Sequence, residues 1–185
     1  MTLFTEKAPG IMVLLMNDFD LDVNSAAAIV GNLGHESGGF QFLQEKKPMI
    51  PGSRGGWGWA MWTGPRRRQF ESYVRRNNLD PASDFANYGW LFVELTTTEK
   101  KAIPAVKRAG TISEKVRRFE VAFERAGIKH YNSRNKYANQ ARVAFKLAYP
   151  LGLPSPVKIT PSPQPASAGF LLRFWQWLKR QFRRP

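Results

Sequence analysis

The chain has 185 residues, 43% of them hydrophobic and 13% aromatic, which supports one domain with a real core plus a short appendage and excludes a disordered protein. Lys and Arg outnumber Asp and Glu by 28 to 14, a positive field whose natural partners are polyanions: nucleic acid, anionic lipid or an acidic wall polymer. No cysteine and two histidines leave no disulfides, no thiolate metal sites and no His-rich metal cage, so a mechanism without metal or cofactor is expected.

Helix signals dominate, and they predict a mainly α fold over residues 1–149 with at most a small hairpin between residues 40 and 62. The apolar patch Ile11 to Met16 has an acidic flank and no small-residue cleavage site, so no secretory signal is expected. No run approaches the 18 or so apolar residues that span a bilayer, so the chain is expected to be made in the cytoplasm. Pro9 is expected to start a first helix carrying Ile11, Leu14 and Leu15. Asn24 and Ser25 are expected to cap a second, whose stripe Ala26, Ala27, Ile29, Val30 and Leu33 runs to Gly34 and delivers Glu36 at its end. Gly38 and Gly39 stop it.

Thr63 and Pro65 mark a third helix start, with Phe70, Tyr73 and Val74 inward and the arginines Arg66, Arg67, Arg68, Arg75 and Arg76 mostly outward. Asp80 and Pro81 mark a fourth, with Phe85, Tyr88, Leu91, Phe92 and Leu95 as its buried set. Thr96 with Glu99, and Thr111 with Glu114, have capping-box spacing and predict two further starts. Asn132 or Ser133 opens the last long helix, through Tyr137, Ala141, Val143, Ala144 and Leu147. Composition then changes at Pro150: residues 150–168 read as an extended Pro/Ser-rich linker.

The chemistry concentrates between residues 31 and 73. Glu36 leaves an apolar helix, where partial desolvation would favour the protonated form that a general acid needs. Nine residues on, Glu45 supplies a second carboxylate on a looser segment, and two carboxylates in different environments can divide acid and base roles. The stretch "GGWGWAMWTG" interleaves Trp57, Trp59 and Trp62 with glycines, a composition suited to a groove where flat rings meet sugar faces. His35, about 100° around the helix from Glu36, reads as a structural hydrogen-bonding residue.

"AAAIVGNLGHESGGF" followed by "GWGWAMWTGPRRRQFESY" resembles the phage tail lysozyme and endolysin group of the lysozyme superfamily. That group's pattern is a helix ending in G-N-x-x-x-E-S-G-x-F and, after a variable loop, G-x-A-Q-W-T-G-x-R. "HESGGF" with the later "WTG" also resembles chitinase-like glycoside hydrolases, in which a second glutamate follows the first. "LFVEL" at 91–95, "AFERAG" at 122–127 and "RNKYA" at 134–138 are similar to the remaining landmarks, so the resemblance covers roughly residues 8–148.

The resemblance implies a lysozyme-like fold, peptidoglycan as partner and substrate, and cleavage of its β-1,4 glycosidic bonds with Glu36 as the catalytic acid. It lays Gly58 to Gly64 along the floor of a saccharide cleft, which puts Trp57, Gly58, Trp59, Met61 and Trp62 against substrate. Met61 departs from the pattern, which has glutamine there, so a polar contact in that subsite is lost or moved. Glu45 matches the second glutamate approximately and is held as the base. Thr63 is either a ligand of the attacking water or a helix cap. Glu94 and Glu124 read as buried polar braces. The chain is expected to act as a monomer at the cell wall during lysis. A lytic transglycosylase of the same fold stays open, as does a basic nucleic-acid-binding module, although no nucleic-acid-binding motif is present and nucleic acid is not the expected partner.

Residues 169–185 read as a separate element. At 100° per residue, Phe170, Leu171, Phe174, Trp175, Trp177, Leu178 and Phe182 fall within an arc of about 160°, with Arg173, Lys179, Arg180, Arg183 and Arg184 on the other side. Such a cationic amphipathic helix is expected to lie in an anionic membrane or lipopolysaccharide surface.

Overall fold

The computed structural model describes residues 1–48 and 52–152. Among them the fold is mainly α, as the sequence predicts: α1 (Leu3–Phe19), α2 (Val23–Glu36), α3 (Gly64–Arg76), α4 (Asp84–Thr96), α5 (Ala102–Lys107), α6 (Ile112–Phe119), a π-helical turn (Glu120–Glu124) and α7 (Tyr131–Ala148). The expected hairpin is reduced to two isolated antiparallel bridges, Gln44 with Trp57 and Trp57 with Trp62. A compact unit runs from Met1 to Leu151. Most of the linker 150–168 and all of the tail 169–185 lie outside the described residues, and none of the described helices is long and apolar enough to cross a membrane.

Helix α1 starts earlier than Pro9. Thr2 caps it, its Oγ1 accepting from the Thr5 N–H at 3.3 Å while Thr5 Oγ1 accepts from the Thr2 N–H at 3.0 Å. Pro9 therefore sits inside the helix, where it removes one ladder donor. Burial of Ala8, Ile11, Met12, Leu14 and Leu15 holds the helix together across that gap.

Helix α2 occupies the middle of the fold, buried without interruption from Ser25 to Gly34 and packed by α1, α6 and α7. Its cap is Asp22, which accepts from the Ser25 N–H at 2.6 Å, and Ser25 is a core residue bonded by the buried Lys115. Gly31 permits the contact with α7: a Cβ there would lie 2.6 Å from the Cβ of Ala138. Only a residue without a side chain lets the two backbones come so close.

The other helix starts divide. Thr111 and Glu114 form the expected capping box. Thr96 instead ends α4, its hydroxyl donating back to the carbonyls of Phe92 and Val93, and no helix opens there. Ser83 caps α4, because Asp80 is occupied in the turn before it, accepting from the Ala82 N–H. Helix α7 begins at Tyr131 after His130 in the left-handed region (φ 44°), and Val143 and Leu147 face outward. Its buried stripe is Arg134, Ala138, Ala141, Ala144 and Phe145.

Candidate active site

Glu36 is the last residue of α2, and the chain leaves it abruptly. Ser37 is buried, its hydroxyl donating to the Leu33 carbonyl at 2.7 Å and accepting from the Phe40 N–H at 2.9 Å. Gly38, Gly39 and Phe40 then take left-handed φ of 57°, 72° and 67°. Glycine adopts that region freely; Phe40 is held there by burial of its ring, stacked on Phe4 at 5.5 Å. The turn leaves the Glu36 side chain 20% exposed at the mouth of a buried helix.

The surroundings of Glu36 are more polar than an apolar helix end. Its Oε1 accepts from Arg134 Nη2 at 2.6 Å, and Arg134 is itself 1% exposed. Arg134 Nη1 donates to Asn32 Oδ1 at 3.0 Å, and Nε to the Lys129 carbonyl at 2.8 Å. Asn32, one turn before Glu36, donates to the carbonyls of Ala28 and Val116. A buried guanidinium is tolerated only when its fork is filled, and here it is filled from three sides.

A second polar cluster lies beside the first. Glu94, 1% exposed, accepts from Trp62 Nε1 at 2.6 Å and from Arg66 Nε and Nη2 at 2.7 and 2.8 Å. Arg66 also donates to the Phe123 carbonyl at 3.1 Å and lies 4.5 Å over the Phe123 ring. Glu124 is the next residue. Half-buried as a whole, it has an Oε1 without solvent contact or hydrogen-bond partner. Burial pushes its carboxyl well above the usual carboxylate range, the negative charges of Glu36 and Glu94 push the same way, and Arg66 and Arg134 oppose them.

The glycine and tryptophan segment is built differently from an open aromatic groove. Trp59 and Trp62 are each 1% exposed; they are core rings, Trp62 stacked on Phe70 and Trp59 against Phe40. The Trp59 N–H donates to Asn87 Oδ1 at 3.0 Å, and Gly58, at φ 80°, is buried against the Trp62 ring. Trp57 and Met61 are half-buried. Thr63 is the N-cap of α3 and exposed, but its hydroxyl makes no cap bond.

Glu45 is tied to the same segment, its N–H donating to the Gly56 carbonyl at 2.9 Å and its Oε2 accepting from the Gly56 N–H at 2.8 Å. Two arginines expected to face outward turn in instead. Arg66 joins Glu94, and Arg67, 9% exposed, donates to the carbonyls of Arg54 and Gly55 and to Glu71. His35 bonds Ser133 across 2.9 Å; burial first, then the charges of Arg134 and His130, push its imidazole down to about 4, so it is neutral at pH 7 and joins α2 to α7.

The fold thus gathers Glu36, Arg134, Asn32, Arg66, Glu94 and Glu124 from five helical segments. The model of the phage tail lysozyme family matches residues 6–145. The chain belongs to the phage tail lysozyme family. That span takes in every described residue of the polar clusters, and the family implies lysozyme-like hydrolysis with peptidoglycan as substrate. No curated protein and no solved structure matches the chain significantly.

Proposed function

We propose that this phage tail lysozyme is an endolysin that cleaves the β-1,4 glycosidic bond of peptidoglycan with Glu36 as general acid. The observation that carries the reading is the placement of Glu36: a partly exposed carboxyl at the end of a buried helix, oriented by a buried arginine and freed from chain by three left-handed residues. Glu36 protonates the leaving glycosidic oxygen. Glu45 activates water and Thr63 helps orient it. Trp57 and Met61 reach the saccharide directly, while Gly58, Trp59 and Trp62 shape the floor beneath it. The excess of positive charge draws the protein to an anionic envelope. The test is mass spectrometry of muropeptides released from purified wall: reducing ends are expected, and a failure to release any glycan fragment overturns the reading.

A single-acid lytic transglycosylase is the second reading, favoured by the engagement of Glu45 Oε2 with the Gly56 amide. Glu45→Gln keeps an acceptor for that amide while removing the base. Inverting hydrolysis predicts a rate loss of about 10² or more. A near-wild-type rate together with anhydro ends assigns the transglycosylase.

We also propose that residues 169–185 bind an anionic membrane or lipopolysaccharide surface through Phe170, Leu171, Phe174, Trp175, Trp177, Leu178 and Phe182, with the cations of Arg173, Lys179, Arg180, Arg183 and Arg184 at headgroup level. Deleting 169–185 is expected to leave clearing of purified wall unchanged and to lower both binding to anionic vesicles and attack on intact cells. Equal vesicle binding by the truncated protein overturns this role.

A further inference from the structure

Glu124 combines features that bracing does not explain. Its Oε1 is buried without a partner, whereas Glu94 and Glu120 use their carboxylates fully: Glu120 accepts from the Ala126 N–H, Lys129 Nζ and the Tyr131 hydroxyl. It closes a π-helical turn, a rare element that often marks functional positions, and Arg125 at φ 54° ends the helix directly after it. The charges around it come from four other elements: Glu36 on α2, Arg66 on α3, Glu94 on α4 and Arg134 on α7. On its own side Arg125 is answered by both oxygens of Glu99. Three carboxyls therefore face two guanidiniums, and the cluster is neutral when it holds one proton.

We propose that Glu124 stores the proton that Glu36 delivers, so that the two carboxyls act as one acid with Glu36 as its working end. This rests on Glu36 being the general acid. At rest Glu124 holds the proton, while Glu36 accepts from Arg134. No hydrogen bond joins the two carboxyls directly, so when substrate is bound the O–H bond of Glu124 breaks as a water entering between them takes that proton and gives one of its own to Glu36, where the new O–H bond forms. The Glu36 O–H then breaks as the glycosidic oxygen gains the proton, and the C–O bonding electrons leave with that oxygen. Glu124 is left as a carboxylate facing Arg66 and Arg134, and water restores its proton after release. Glu124 is a positioning residue for the proton and does not touch the sugar.

The burial that lifts the Glu124 carboxyl fixes a sign. A group whose carboxyl is raised by folding contributes stability below its unfolded value near 4.5 and loses it as pH rises, so at pH 7 it is a liability to the fold. Glu124→Gln, which keeps shape but holds no acidic proton, is therefore expected to match or exceed the wild type in urea resistance at pH 7. Its wall-clearing kcat is expected to fall by roughly 10- to 10²-fold at unchanged KM, with the alkaline limb of the pH profile moved to lower pH. A brace would give lower urea resistance and an unmoved limb. A wild-type rate, or a rate loss with the limb unmoved, overturns the proposal. Carbon-13 titration of the wild type gives a check that needs no variant: a Glu124 carboxyl titrating in the ordinary carboxylate range also overturns it. If Glu36→Gln still cleaves wall, the acid assignment itself falls; if Glu36→Gln is inactive while Glu124→Gln keeps the wild-type profile, only the storage of the proton falls.

Discussion

Glu36→Gln is expected to clear purified wall about 10² to 10⁴ times more slowly than the wild type, because the amide fills the same space and has no proton to give. The variant also leaves Arg134 buried without its counter-charge. Breaking a buried pair typically costs about 3 to 5 kcal/mol, but Glu36 is 20% exposed and glutamine still accepts through its oxygen, so a loss of about 1 to 2 kcal/mol is expected. Circular dichroism and a urea midpoint separate the two effects. A folded Glu36→Gln protein that clears wall at the wild-type rate sinks the assignment.

The largest stability effect is expected at Arg134. Arg134→Met removes donors to Glu36, Asn32 and the Lys129 carbonyl at once, leaving a carboxylate, a buried amide oxygen and a backbone carbonyl short of partners. The expected cost is about 3 to 5 kcal/mol, read as a lower urea midpoint at unchanged m-value. Arg134→Lys keeps the charge but one ammonium cannot reproduce the three-way fork, so it is expected to recover only part of the loss. A drop below about 1 kcal/mol for Arg134→Met would make the contact equivalent to a surface ion pair.

Legibility in the sequence tracked how local each determinant is. The capping box at Thr111 is made by residues three apart, and spacing alone finds it. Thr96 and Glu99 have the same spacing, yet spacing does not distinguish a helix start from a helix end, and the free carbonyls of Phe92 and Val93 claim the hydroxyl. Glu36 was visible because its motif is contiguous. The burial of Trp59 and Trp62 was not, because the groups that receive their N–H donors, Asn87 and Glu94, lie 28 and 32 residues farther on. Arg134 did leave a trace: it stands on the small-residue stripe of Ala138 and Ala141, where an exposed cation has no place. Glu124 left none beyond its family landmark, since the charges that set its protonation come from four helices.

The pairing of Glu36 with Arg134 spans 98 residues, and Gly31 meets Ala138 across a similar interval. At a synthesis rate of about 5 to 20 residues per second, Glu36 exists for roughly 5 to 20 seconds before its arginine is made. During that time the apolar stripe of α2 has no α7 to lie against, and its sequence must be kept from sticking to other nascent chains. The pair of Glu36 and Arg134 is therefore assembled only once translation has reached the last helix of the domain. Any product released before Arg134 carries the complete glutamate motif without the arginine that the folded domain pairs with it.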